Sequence, residues 1–148
     1  TFIRNLRPVV RCAEQFGVIF AIEPVWNHIV YNSSRARQVL DAIASPNLQI
    51  IFDPVNLLSM ENYERRDEVI RQAIADLAKD IAVVHLKDFC IKDGKLISVA
   101  AGTGLMDYQP ILRFMKKRKP FVQATLENTK PENAEAARKF LEAEYARA

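Results

Sequence analysis

Four short apolar runs separated by stretches of helical period predict an α/β protein, a leading helix followed by four βα units. The handedness and crossover rules then make the four strands parallel, with the helices outside. The first observation is the runs themselves, Val18–Glu23, Leu48–Asp53, Ile81–Leu86 and Phe121–Glu127. Each is nearly continuous in apolar residues, as strands buried on both faces of a parallel sheet are. The second is that the segments between them are long enough for crossover connections and carry apolar residues at helical spacing.

The elements follow in order. Phe2–Phe16 reads as a helix ending at Gly17 in the usual cap position, with Pro8 expected to kink it or to mark its true start. Ser34–Ala44 sets Ala36, Val39, Leu40 and Ile43 on one face, and Glu64–Lys79 does the same with Val69, Ile70, Ala73, Ile74 and Leu77. After the third strand the spacing breaks. Lys92, Asp93 and Gly94 form a turn between two short extended pieces, which predicts a small hairpin or loop insertion near 89–101 and a wall for a pocket. Asp107 heads a helix to about Lys117, and Pro131 opens the last one, Glu132–Glu144, as a first-turn proline. No repeat and no Pro/Gly/Ser-rich linker divides the chain, so residues 1–148 are expected to form one unit.

Composition narrows the function classes. With 148 residues, 49% of them hydrophobic, 26% charged and only four glycines, the chain has a globular composition rather than a disordered or collagen-like one. Cys12 and Cys90 lie far apart without a CxxC partner, which argues against a zinc knuckle or disulfide framework. The apolar runs are far shorter than the roughly 20 residues of a membrane span, and no basic-then-apolar leader opens the chain. A cytoplasmic protein with no membrane partner is the expectation. The net charge is only +3, and the one basic tract, Lys116–Lys119, follows the apolar face Ile111, Leu112, Phe114 and Met115. It reads as a solvated helix C-terminus, where cations suit the dipole, rather than as a phosphate contact.

The chemistry gathers at the strand ends. Glu23, Asp53, His85 and Glu127 each stand at or near the end of one strand. The C-terminal ends of parallel strands share one face of the sheet, so the four side chains are expected to converge. A single acid in such a place is ordinary rim charge, but four from four strands point to a metal. Three carboxylates and one imidazole form an oxygen-rich donor set suited to a divalent ion, Mn²⁺ first, with Mg²⁺, Co²⁺ or Zn²⁺ behind it.

The runs Ala21–Trp26 (AIEPVW), Phe52–Asn56 (FDPVN), Val84–Asp88 (VHLKD), Gly102–Tyr108 (GTGLMDY) and Thr125–Asn128 (TLEN) together resemble the second half of the xylose isomerase-like TIM-barrel superfamily. That group includes sugar isomerases and epimerases, inosose dehydratases and relatives of apurinic endonucleases. The resemblance implies the C-terminal half of a (β/α)8 barrel, with a metal held by Glu23, Asp53, His85 and Glu127. It further implies that Glu23 and Glu127, matching the paired glutamates of ketose epimerases, move a proton on and off carbon. The substrate is then a small sugar or keto-polyol, and a divalent cation stabilises the enediolate. A dehydratase of an inosose-like keto-polyol would use the same step.

Around this centre, Trp26 and His28 in the loop after the first strand, Asn56 and Lys87 are candidate substrate-binding residues. Lys87 shares a strand face with His85 and offers a cation to an oxyanion, or pairs with a neighbouring acid. Gly102 and Gly104 are read as backbone requirements. Only two histidines in the chain, and Asn56 where the endonuclease branch has a ligand histidine, argue against nuclease work and a nucleic-acid partner. A complete barrel typically takes roughly 250 residues. Four βα units are therefore expected to dimerise, so that each protomer completes its partner's barrel, or to rest on an N-terminal half. A catalytically incomplete, self-associating half-barrel is the non-enzymatic alternative, and the unclosed sheet is expected to expose two edges and an apolar inner face.

Overall fold

In the computed structural model, which describes residues 1–148, the four runs become four parallel strands. They are β1 (Phe20–Ile22), β2 (Leu48–Phe52), β3 (Ile81–Leu86) and, beyond a hairpin of β4 (Asp88–Lys92) and β5 (Lys95–Val99), β6 (Gln123–Leu126). The sheet order β1-β2-β3-β6 follows the chain, with Ala21 opposite Gln49, Ile51 opposite Val83 and His85 opposite Thr125. Five helices accompany it: α1 (Phe2–Phe16), α2 (Ser33–Ile43), α3 (Arg66–Leu77), α4 (Gln109–Arg118) and α5 (Pro131–Arg147).

The core lies between sheet and helices. Leu48, Ile50 and Phe52 of β2 and Ile81, Val84 and Leu86 of β3 are buried with Val39 and Leu40 of α2, Ile70 and Leu77 of α3, and Ile111 and Leu112 of α4. Burying each such side chain contributes about 1.5–3 kcal/mol, and this packing rather than helix propensity fixes the helices to the sheet. Local signals set the element ends. The Asn32 side chain accepts the Arg35 N–H to cap α2, and Gly17 closes α1 in the left-handed region. The hairpin turns on Asp93 and Gly94, both with positive φ, the two-residue geometry that matches strand twist. The basic tract is absorbed structurally. Lys116 Nζ donates to the carbonyls of Tyr145 and Ala148, and Lys119 Nζ to those of Lys79 and Ile81.

Several boundaries differ from the sequence expectation. Helix α1 runs from Phe2 to Phe16 with Pro8 inside it, so Pro8 does not mark its start. Helix α3 begins at Arg66, after a 3-10 turn at Tyr63–Arg65, and α5 continues to Arg147. Val18 and Ile19 precede β1 and are about half exposed, and Phe121 precedes β6 at 96% exposure. Burial on both faces holds for no strand in full and fails most for β6, whose four residues are all exposed at the sheet edge.

The sheet face that bears the strand-end set also departs from expectation. Side chains alternate along a strand, so the face that ends in Glu23, Asp53, His85 and Glu127 carries Ala21, Gln49, Ile51, Val83, Gln123 and Thr125. It is mixed in polarity, where barrel interiors are dominated by bulky branched residues. No helix is long and apolar enough to cross a membrane.

Candidate metal centre

Each member of the strand-end set is delivered by its own local geometry. Glu23 and Asp53 directly follow β1 and β2, and a proline stands after each, Pro24 and Pro54. Proline restrains the preceding residue to extended backbone, so the acid stays in line with its strand. Asp53 then turns the chain: its Oδ1 accepts the backbone N–H groups of Val55 (3.0 Å) and Asn56 (3.1 Å), opening a 3-10 turn over Val55–Leu57. His85 is the penultimate residue of β3, and Glu127 follows β6 with its N–H donating to Leu86 O at 3.1 Å.

These four residues come together. One ligand atom from each of Glu23, Asp53, His85 and Glu127 lies within 4.8 Å of all the others. His85 Nδ1 is 2.8 Å from Glu127 Oε1, 3.2 Å from Glu23 Oε1 and 3.9 Å from Asp53 Oδ2. Lys87, also a candidate, enters the same cluster. Its ammonium is 2.6 Å from Asp53 Oδ2, 2.9 Å from Glu127 Oε2 and donates to Asn56 Oδ1 at 2.9 Å. The Asn56 amide completes the ring by donating to Glu23 Oε1 at 3.0 Å.

The electrostatics follow from burial and from Lys87. Burial raises the carboxyl of Asp53 to about 6, although the hydrogen bond and charge of Lys87 pull it back. Burial also works upward on Glu127, but the Lys87 hydrogen bond and charge, with His85, outweigh it and hold Glu127 below its ordinary value. Lys87 is driven up in turn: burial works downward, and its contacts with Asp53 and Glu127 prevail. Three carboxylates against one ammonium leave two uncompensated negative charges. Asp53 Oδ2 is buried with no polar partner but Lys87 Nζ, at 2.6 Å. A buried carboxylate oxygen held by one ammonium, a charge of minus two and an oxygen-rich set with one imidazole fit a divalent cation.

The remaining candidates separate. His28 is exposed and lines a hollow with Glu23 beside β1, while Trp26 lines neighbouring hollows with Ser59 and Glu61, one of them shared with Asn56. The Trp26 backbone is tied to that side by its amide N–H, which donates to the backbone carbonyl of Asn56 at 2.7 Å. The two loop residues therefore do not share one hollow.

Asp88 is a residue whose role the sequence concealed. It is 1% exposed, its Oδ1 accepts the N–H groups of Phe89 (2.8 Å) and Met106 (2.9 Å), and its Oδ2 accepts that of Gly102 (3.2 Å). Gly104 is needed for this clamp, because a Cβ there would lie 2.4 Å from Asp88 Oδ1 and 2.2 Å from Phe89 O. Tyr108 seals it by donating its hydroxyl to Lys87 O at 2.8 Å, and burial followed by the Asp88 charge raises that phenol well above its ordinary value. The signal was present in the paired glycines 102 and 104, but their partner lies 14 and more residues upstream.

Comparison with known proteins identifies the family and the fold. The family model described as xylose isomerase-like TIM barrel matches residues 1–144. No curated protein matches the chain. Among solved structures, a D-tagatose 3-epimerase-like protein superposes with TM-score 0.75 at 20% identity, over 96% of this chain and 52% of that one. A probable 3-DHS dehydratase of petrobactin synthesis from Bacillus anthracis gives 0.74 at 16%, over 95% and 55%. The IOLI protein, solved with a binding zinc atom, gives 0.69 at 21%, over 98% and 55%. The chain thus has the α/β fold of part of a TIM barrel and spans about half the length of the structures it matches.

Proposed function

Because the chain belongs to the xylose isomerase-like TIM barrel family, we propose that it carries the metal-binding half of a divalent-metal-dependent isomerase or epimerase acting on a small sugar or keto-polyol. The observation that carries this reading is the convergence of Glu23, Asp53, His85 and Glu127 from four strand ends within 4.8 Å. These residues hold the ion, Mn²⁺ first by the hardness of the donor set. When bound, the ion supplies the positive charge that makes a proton next to a carbonyl removable by stabilising the enediolate.

The side chains do the rest. Glu23 and Glu127 stand at opposite edges of the sheet and approach His85 Nδ1 from two sides, so a carbon held between them can lose its proton to one carboxylate and regain one from the other. Lys87 holds Glu127 in its ionised form, and its ammonium is placed to meet developing oxygen charge. Asn56 holds Glu23 in orientation and offers its amide to a substrate hydroxyl. Trp26 and His28 take the substrate's carbon face and a hydroxyl on the two flanks. The likeness to a dehydratase structure favours a second reading, in which the same proton abstraction is followed by loss of a neighbouring hydroxyl as water.

The test joins metal analysis and light-scattering mass with deuterium wash-in from D₂O into a panel of ketoses and keto-polyols in the presence of Mn²⁺. Uptake of one Mn²⁺ and exchange at a single carbon are expected. A chain that takes up no Mn²⁺ refutes the metal site, and a loaded chain that exchanges no deuterium refutes catalysis by this chain.

A further inference from the structure

Lys87 is an unusual neighbour for a metal centre. A metal-ligand set of three carboxylates has no electrostatic need to bury an ammonium beside it, yet Lys87 is 6% exposed and its Nζ sits 2.6 Å from Asp53 Oδ2 and 2.9 Å from Glu127 Oε2. Its position is built rather than incidental. The backbone is pinned from one side by the Tyr108 hydroxyl on Lys87 O, and from the other by Asp88, whose carboxylate is clamped by three backbone N–H groups. The side chain is met by a third acceptor, Asn56 Oδ1, at 2.9 Å. Swinging the ammonium out would strand Asp53, whose side chain is wholly buried.

We propose that Lys87 sets the charge selectivity of the centre: its ammonium cancels one of the three carboxylate charges, so that the site balances a divalent and not a trivalent cation. This rests on the metal reading above and goes beyond it by naming the residue that discriminates by charge. Oxygen-rich donor sets do not reject trivalent ions by themselves; hard trivalent cations favour the same ligands. A fixed positive charge does reject them, because each further charge on the ion meets the ammonium at close range. At about 4 Å and an effective dielectric of about 20, each added ionic charge would be disfavoured by up to about a thousandfold, and solvent and side-chain relaxation reduce that. The same ammonium bridges the buried Asp53 carboxylate to the half-buried Glu127 while no ion is bound, so selectivity and folding draw on one contact.

The experiment compares the 148-residue chain with Lys87→Met, which keeps length and volume without charge, and Lys87→Arg, which keeps the charge. Mn²⁺ affinity is read from the electron paramagnetic resonance signal of free Mn²⁺, and Tb³⁺ affinity from calorimetry in a non-coordinating, slightly acidic buffer. The Tb³⁺ to Mn²⁺ affinity ratio is expected to rise at least about tenfold in Lys87→Met and to stay within about threefold of the parent in Lys87→Arg. Lys87→Gln, which can still donate to Glu127, replaces the methionine variant if circular dichroism shows that variant unfolded, with the same expectation. A ratio unmoved in the neutral variant, or moved equally in the arginine variant, overturns the proposal while leaving the metal site standing. Absence of Mn²⁺ binding in the parent and in every variant overturns both.

Discussion

Replacing Asp53 by asparagine is expected to raise the stability of the metal-free fold relative to the parent as pH climbs from acid to neutral, while removing its affinity for Mn²⁺. The Asp53 side chain is wholly buried, and burial lifts its carboxyl from 3.8 to about 6 despite the opposing hydrogen bond and charge of Lys87. The unfolded chain keeps the lower value. The folded protein therefore binds the Asp53 proton more tightly than the unfolded one, and the stability this confers is fully present below about pH 4. It is lost as pH rises through about 6. At about 1.36 kcal/mol per pH unit, the rise from 3.8 to about 6 amounts to about 3 kcal/mol of stability missing at neutral pH. Asparagine does not titrate and can keep the Val55 and Asn56 N–H bonds through its own Oδ1. Its amide facing Lys87 adds an offset that does not bend with pH. Urea unfolding with a chelator present, at intervals from acid to neutral pH, gives the difference in stability between Asp53→Asn and the parent. That difference is expected to climb by about 3 kcal/mol across the window, in favour of the variant. A flat difference, or one that falls as pH rises, refutes the assignment of the shift to burial of Asp53.

Other consequences can be measured on the same preparations. Mn²⁺ affinity is expected to fall about tenfold per pH unit once pH drops below about 6, where protons compete for Asp53, and calorimetry across that range checks it. Glu127→Gln should lose Mn²⁺ uptake and deuterium exchange together, whereas Trp26→Ala should keep the metal by elemental analysis. Gly104→Ala forces a Cβ against Asp88 Oδ1 and Phe89 O and should cost about 1–3 kcal/mol in urea unfolding, with faster hydrogen exchange at the Gly102 and Met106 amides. Ile50→Ala empties a site with 0% exposure between sheet and helices, and about 2–5 kcal/mol of stability should go with it by the same assay.

The convergence of the strand-end residues was legible because three of the four apolar runs stop on an acid that has no reason to end a buried strand. Glu23, Asp53 and Glu127 are such residues, and the parallel topology that brings them together follows from chain order alone. Strand boundaries were less legible where the sheet ends. Val18, Ile19 and Phe121 look like core residues in sequence, but they flank the edge strands β1 and β6 and remain exposed. Lys87 was placed on the right face by alternation, while its simultaneous contact with Asp53, Asn56 and Glu127 depends on three other elements and has no local signature. Asp88 was illegible for the same reason. Its three N–H donors come from its own neighbour and from residues 102 and 106, and only the close approach at Gly104 leaves a trace in sequence.

What holds the strand-end cluster together and what would enclose a substrate are separate in this molecule. Every contact that orients the ligand set is internal to the four βα units: Asp53 through its 3-10 turn, Glu23 through Asn56, Glu127 through Lys87, and Lys87 through Tyr108. Enclosure is another matter. The sheet ends at β1 on one side and β6 on the other, and parallel edge strands present unpaired N–H and C=O groups that invite further pairing. Between those edges the sheet face that bears the strand-end set shows Gln49, Gln123 and Thr125 beside Ala21, Ile51 and Val83. Gln49 Nε2 already donates to Pro46 O at 3.2 Å, but a wholly apolar surface pressed onto this face would leave the Gln123 amide and the Thr125 hydroxyl without partners, at about 1–3 kcal/mol each. A complement that closed the barrel, whether a second copy or an N-terminal half, would therefore have to bring polar groups to the axis as well as strand edges. On that physical ground the centre is expected to form its metal geometry with or without the complement, while affinity for a sugar depends on it.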